Sequence, residues 1–280
     1  MKIYSIHAGN FKLDGGAMFG VVPKSLWNKI NPADENNMCS WAMRCLLVEE
    51  GNRLILIDNG MGNKQDDKFF GHYYLHGEHG LDKSLAAVGF SREDITDVFL
   101  SHLHFDHCGG SIQWNREKTF LEPAFPKAVF WSHSQHWDWA VNPNPREKAS
   151  FLKDNILPIQ QSGQLKFADK EEGLPTWFDI RVVSGHTESM MLPLIDTGKG
   201  KVFFMADLIP SHGHLPLPWV MAYDTRPLLT LEEKSKLLQE AVNNQYLLFF
   251  EHDPLIECCT LSNTEKGIRM QNSGNLKDLL

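Results

Sequence analysis

Between Ser101 and Gly110 the chain reads Ser-His-Leu-His-Phe-Asp-His-Cys-Gly-Gly, so His102, His104, Asp106 and His107 fall within six positions. Imidazole and carboxylate are favoured ligands of zinc and its neighbours. His102 and His104 are two residues apart, and along an extended chain such positions point to one side and can reach one ion. Asp106 and His107 come just before Gly109 and Gly110, where the backbone can turn sharply and aim them at a second ion. Four ligand-type side chains at two phases of one short loop serve no packing need. The chemistry they suit is hydrolysis, because two cations held close together stabilise a bridging hydroxide, and even one bound zinc lowers the pKa of water to about 7.

Such a loop needs strands to hold it. The run Ile95–Ser101 is rich in β-branched and apolar residues and predicts a strand that delivers the histidines at its end. Three later apolar runs also end in ligand-type residues: Ile180–Ser184 before His186, Lys201–Ala206 before Asp207, and Gln245–Phe250 before Glu251 and His252. Open sheets collect functional groups along one edge in this way. The simplest assignment gives His102, His104 and His186 to one ion and Asp106, His107 and His252 to the other. Asp207 bridges them, and Asp106 and Asp207 are the carboxylates assigned to catalysis as well. Three imidazoles on the first ion leave coordination open for water, as a catalytic site requires. Asp58, which ends the strand Arg53–Asp58, and Thr187 are expected to orient ligands from behind.

Other stretches frame the pocket. Asp14–Pro23 carries three glycines and the pair Met18-Phe19, and reads as a mobile loop or a hairpin tip. Met18, Phe19, Trp219 and Met221 are expected to form an apolar wall, and the aromatic stretch Phe69–Gly80 a further wall without a metal ligand. Helices are expected over Leu81–Val88, from Ser134 to Ala140, and over Leu231–Val242, with strands at Cys45–Val48 and Ala128–Ser132. Asn142–Gly173 is polar and reads as an irregular excursion across the mouth of the site. His133 and His136 are expected to pack or face solvent, His212 and His214 to stand outside the site, and Tyr223 to pack away from it.

At 280 residues, with 42% hydrophobic and 22% charged residues, the chain has ordinary globular composition. A formal charge of −8 works against phosphate backbones and anionic membranes, so nucleic acid and membrane are not expected partners. No apolar run approaches a membrane span, and no cleavable apolar leader is evident, which makes the cytoplasm the expected location. Five cysteines with no CxxC pair suit reduced thiols better than a disulfide frame.

Taken together, Ser101–His107, Gly185-His186-Thr187, Ala206-Asp207 and Glu251-His252 resemble the metallo-β-lactamase superfamily. The resemblance runs from about Cys45 through His252 and implies an α/β fold, a four-layer αββα sandwich with a dinuclear site at one edge of two sheets. It would make residues 1–280 a single domain. Asp14–Pro23, His104–Gly110 and Ala206–Pro210 look like the quorum-quenching N-acyl-homoserine lactonase branch, whose members open lactone rings. Two departures are visible: Glu188-Ser189-Met190 follows Gly-His-Thr where many members have Pro-Gly, and no tyrosine follows Asp207 closely. The expected activity is therefore hydrolysis of a small-molecule lactone or ester with two divalent ions, zinc first, with manganese, iron or cobalt as alternatives. A phosphotriester or thioester hydrolase on the same site is the second reading, and a metal-containing signal-binding protein without turnover the third. A homodimer stays open alongside a monomer.

Overall fold

The computed structural model describes all residues, Met1–Leu280. Its strands are β1 (Lys2–Asp14), β2 (Met38–Glu50), β3 (Arg53–Ile57), β4 (Asp97–Phe99), β5 (Ile112–Trp114), β6 (Leu121–Pro123) and β7 (Val129–Ser132) in the first half of the chain. The second half adds β8 (Leu165–Phe167), β9 (Phe178–Val183), β10 (Met190–Asp196), β11 (Lys201–Phe204), β12 (Leu247–Phe249), β13 (Cys258–Thr264) and β14 (Gly267–Gly274). One sheet runs β1-β2-β3-β4-β7-β8 and the other β14-β13-β12-β11-β10-β9, with β5 and β6 forming a small hairpin.

The alternation of side chains explains the layering. In β2, Leu46 and Val48 point into the core between the sheets, while Cys45 and Leu47 join a second core under the helices Leu81–Ala87, Ser134–Val141 and Lys153–Gln161. In β3, Ile55 and Ile57 face the partner sheet and Leu54 and Leu56 the helices. A sheet buried on both faces reads as a near-continuous apolar run, and the parallel pairs β3·β4, β4·β7 and β7·β8 have that cover. The long helix Pro227–Asn244 packs on β13 and β14 and buries Leu237, Leu238 and Ala241, completing an αββα sandwich. Each such fully buried aliphatic or aromatic side chain contributes roughly 1.5–3 kcal/mol relative to exposure.

Several expectations change in detail. The strand before the histidines is only Asp97–Phe99, because Leu100 and Ser101 already bend toward the site. Asn142–Gly173 is not irregular throughout: it holds the helix Lys153–Gln161 and the edge strand β8. Its periodic signal is short, Ile156 and Ile159 being the main buried apolar residues, and Pro158 inside the helix hides it further. Asp14–Pro23 is neither a mobile loop nor a hairpin tip. Asp14 caps a short helix, Gly15–Phe19, by accepting from the Ala17 amide at 2.9 Å, and both Met18 and Phe19 are buried.

Candidate metal centre

All seven sequence-assigned ligands meet at one end of the sandwich, and every one is buried. His102, His104, His186 and Asp207 form one group, with ligand atoms within 4.8 Å of one another, and Asp106, His107 and His252 form a second. Asp207 stands between them. Its Oδ2 lies 3.1 Å from His186 Nε2 and its Oδ1 3.1 Å from His252 Nε2.

Local backbone geometry delivers these side chains. After β4, Asp58 accepts from the Ser101 amide at 2.8 Å and from its hydroxyl at 2.6 Å, which anchors the start of the histidine loop. A Cβ on Gly109 would collide with the Met61 backbone, so this position needs glycine to let the loop fold back on itself. Asp58 and Ala206 adopt left-handed conformations, with φ of 55° and 39°, and each non-glycine residue held there costs on the order of 1 kcal/mol. Ala206 immediately precedes Asp207, so that strain sets the direction of the Asp207 carboxylate. His252 is tied to the opposite sheet: the Ala42 amide donates to its carbonyl at 3.1 Å and the Arg44 amide to Glu251 at 3.0 Å. The buried Arg44 guanidinium donates to the carbonyls of Phe250 and Asp253, both at 2.9 Å, and fixes the same turn.

The outer ring nitrogens decide which lone pairs face inward. His252 Nδ1 donates to the Ala42 carbonyl at 2.7 Å, His186 Nδ1 faces Asp224 Oδ1 at 3.0 Å, and His102 Nδ1 meets the Ser101 hydroxyl at 3.1 Å. His107 Nδ1 lies 3.1 Å from Asp58 and 3.0 Å from Glu251. His104 turns the other way and keeps Nε2 3.6 Å from Glu147. In the neutral rings, with the proton on the outer nitrogen, the inner nitrogens turn lone pairs to one another: His102 Nε2 and His104 Nδ1 are 3.0 Å apart, and His107 Nε2 and His252 Nε2 3.1 Å. Facing lone pairs repel, and a cation between each set removes the repulsion. Asp207 Oδ1, buried without a hydrogen-bond partner, adds an anionic ligand between the sets. The donor set therefore fits two divalent cations.

Electrostatics show the pull of the acids on these rings. Burial works to lower them, yet Asp207 brings His186 up to about 10 and His252 up to about 8, and Glu251, Asp106 and Asp207 hold His107 well above its ordinary value. Without a cation these rings carry protons that bound metal would displace. Burial would raise the Asp207 carboxyl, but the His107, His252 and His186 imidazoles hold it well below the usual carboxylate range. Burial keeps His102 well below its ordinary value, in the neutral form that ligates. Glu147 is pushed up by burial, yet the nearby His104 ring and hydrogen bonds from Thr187 and Asn144 bring it down to about 2, leaving it a fixed anion behind His104.

Of the two residues expected behind the ligands, Asp58 contacts His107 directly, whereas Thr187 acts through Glu147, to which it donates at 2.6 Å. Sequence reasoning missed three partners: Asp224 behind His186, Glu147 behind His104, and Glu251 behind His107. Only Glu251 had a signal, its place next to His252. We expect Asp224→Ala to weaken metal binding by about 10–100-fold, the usual cost of losing the carboxylate that orients a ligating histidine. Metal titration of the variant checks this, and wild-type affinity would show that His186 keeps its orientation without Asp224.

A cavity of about 360 Å³ opens onto the cluster, lined among others by Leu13, Met18, Tyr73, Phe105, Met221 and Tyr223. Met18 and Met221 form the wall as expected. Phe19 and Trp219 do not: Phe19 stacks between Trp27 and His214 behind the wall, with ring centroids 5.3 and 4.7 Å away, and Trp219 packs on its edge. Tyr223 corrects the expectation of a residue packed elsewhere, since the loop after Trp219 folds back and brings it to the cavity, 39% exposed. Tyr73 comes from the aromatic stretch expected to be a wall. His136 is buried and structural, accepting from the Leu103 amide at 2.8 Å, and His212 pairs with Asp253 outside the cluster.

Comparison with known proteins places this geometry. The family model described as the metallo-beta-lactamase superfamily matches residues 44–252. An N-acyl homoserine lactonase, AiiA, of Bacillus thuringiensis subsp. kurstaki is 29% identical over 265 residues, 90% of this chain and 93% of that protein. A probable metal-dependent hydrolase from Staphylococcus aureus superposes with a TM-score of 0.88 at 27% identity, covering 100% of this chain and 98% of that one. AidC, described as a dizinc quorum-quenching lactonase in complex with a product, superposes with a TM-score of 0.80 at 24% identity over 98% and 95% of the two chains. With a family match spanning most of its length, a sandwich of the same layers and a ligand cluster at the sheet edge, this chain belongs to the metallo-β-lactamase superfamily and resembles its N-acyl homoserine lactonases.

Proposed function

We propose that the protein is a metal-dependent hydrolase that opens a lactone or a related carboxylic ester, using two divalent cations, zinc foremost. The observation that carries this reading is Asp207, buried between two histidine clusters with one oxygen toward each, at the floor of a largely apolar cavity. Bound cations at such a site supply Lewis acidity, polarising a carbonyl and making water nucleophilic at neutral pH. His102, His104 and His186 would hold one cation and Asp106, His107 and His252 the other, with Asp207 shared.

The remaining work falls to the chain itself. Of the three carboxylates that line the cavity, Asp207 is assigned to the bridge and Glu147 is held by Thr187 and Trp139, which leaves Asp106 to accept a proton from the attacking water and return it to the departing alkoxide. Leu13, Met18, Phe105 and Met221 offer an apolar surface for an acyl chain and exclude water from it. The phenols of Tyr73 and Tyr223 stand on the same wall, where a substrate carbonyl can accept from them. The lactonase relative from Bacillus thuringiensis supports the choice of substrate. Ligands come from loops of both sheets, which supports reading 1–280 as one domain, and five buried free thiols suit a reducing cytoplasm.

The deciding experiment compares kcat/KM of metal-loaded protein on lactones of increasing acyl length, an acyl thioester and a phosphotriester. The lactones should be turned over best. If no lactone is opened at any chain length, the substrate assignment fails, and faster phosphotriester turnover would take its place.

A further inference from the structure

A single arginine and no lysine lines the cavity above the cluster. Arg146 lies in the segment after the helix Ser134–Val141, exposed at the lip beside Ala222 and Tyr223. One guanidinium nitrogen, Nη2, donates to the Ala222 carbonyl and reaches that of Asp224 at 3.4 Å. Nε and Nη1 make no hydrogen bond within the protein. The neighbouring carboxylates are committed elsewhere: Glu147 accepts from Thr187 at 2.6 Å and Trp139 at 2.8 Å, and Asp224 faces His186 and the Met221 amide. The rest of the lining is apolar, hydroxyl-bearing (Tyr73, Ser150, Tyr223), candidate ligand or acidic. Arg146 therefore supplies the lip with its one permanent positive charge, strapped by a single nitrogen and with the rest of its fork available.

Accepting the hydrolase reading above, we propose that Arg146 selects substrates that carry a carboxylate at the end remote from the bond being cut. A guanidinium fork matches a carboxylate with two parallel hydrogen bonds, a geometry that lysine does not reproduce. Away from the cluster an anionic tail would otherwise meet apolar surface, the neutral hydroxyls of Tyr73, Ser150 and Tyr223, and the Glu147 carboxylate. Because the contact is remote from the reacting carbonyl, it acts on binding and appears in KM rather than kcat.

The test uses the full-length, metal-loaded enzyme and two N-acyl homoserine lactones of equal chain length, one ending in a carboxylate and the other in its methyl ester. The wild type should favour the carboxylate by about 10-fold in kcat/KM, through KM, and the preference should shrink with added salt. Arg146→Met should bring the ratio to about 1 or below, and Arg146→Lys should leave an intermediate ratio. A wild-type ratio near 1, or an unchanged ratio in Arg146→Met, overturns the proposal and leaves Arg146 as a strap between two loops. If neither lactone is opened, the lactone assignment has failed instead. The same ratio is then read from calorimetric Kd values for the two compounds, with the same outcomes deciding for or against Arg146.

Discussion

Replacing Asp207 by alanine removes bound metal and hydrolytic activity together, with kcat/KM falling by about 10³-fold, or roughly 4 kcal/mol. The size follows from its position. Its two oxygens lie 3.1 Å from His186 and from His252, so one deletion takes a ligand from both clusters and the only anion between them. What remains is the Asp106 carboxylate and five buried imidazoles whose inner nitrogens approach one another to about 3 Å. Asp207→Asn is the control for volume, since it keeps the shape but turns one acceptor into a donor facing an imidazole lone pair. Elemental analysis and a lactone assay on the same preparations read out both effects. Two cations per chain with an unchanged rate in the alanine variant would remove the bridge from the site.

Chelation is expected to have the next largest effect, abolishing turnover and lowering Tm. A ligand present at 1,000 times its Kd stabilises the folded state by about 4 kcal/mol, and for a chain of this size that corresponds to roughly 10 °C. The loss is built into the site, because burial holds the ligating groups in place whether or not cations separate them. Scanning calorimetry before and after chelation, with activity measured on adding back zinc, manganese, iron or cobalt, gives the stability effect and ranks the metals. An unchanged Tm and rate in protein shown to be metal-free would contradict the centre as described.

Much of the site was legible in the chain because it uses few residue types at short spacings. His102 and His104 share a side of an extended segment, Asp106 and His107 follow before a glycine pair, and three later strands each end on a ligand-type residue. The partners behind those ligands were not legible. Asp224 and Glu147 sit in polar, irregular stretches where an acid is ordinary, and only the return of those stretches over the cluster places them against His186 and His104. Tyr223 was misjudged for the same reason. It lies at least 16 positions along the chain from every assigned ligand, and no periodicity marks a residue brought in by a loop. Phe19 was misjudged in the opposite sense, since an aromatic beside Met18 at a glycine-rich turn looks like pocket wall until stacking on Trp27 and His214 turns it inward.

By itself the sequence determined most of the strands and the candidate ligand set, because strand alternation and residue type are local properties that a few neighbouring residues carry, while the four layers followed from the family resemblance. Only the tertiary structure decided which ring nitrogen of each histidine faces inward, which acids stand behind them, and which side chains line the cavity. Those depend on contacts between residues tens to hundreds of positions apart, such as Ala42 with His252 and Arg146 with Ala222, which no short-range pattern encodes.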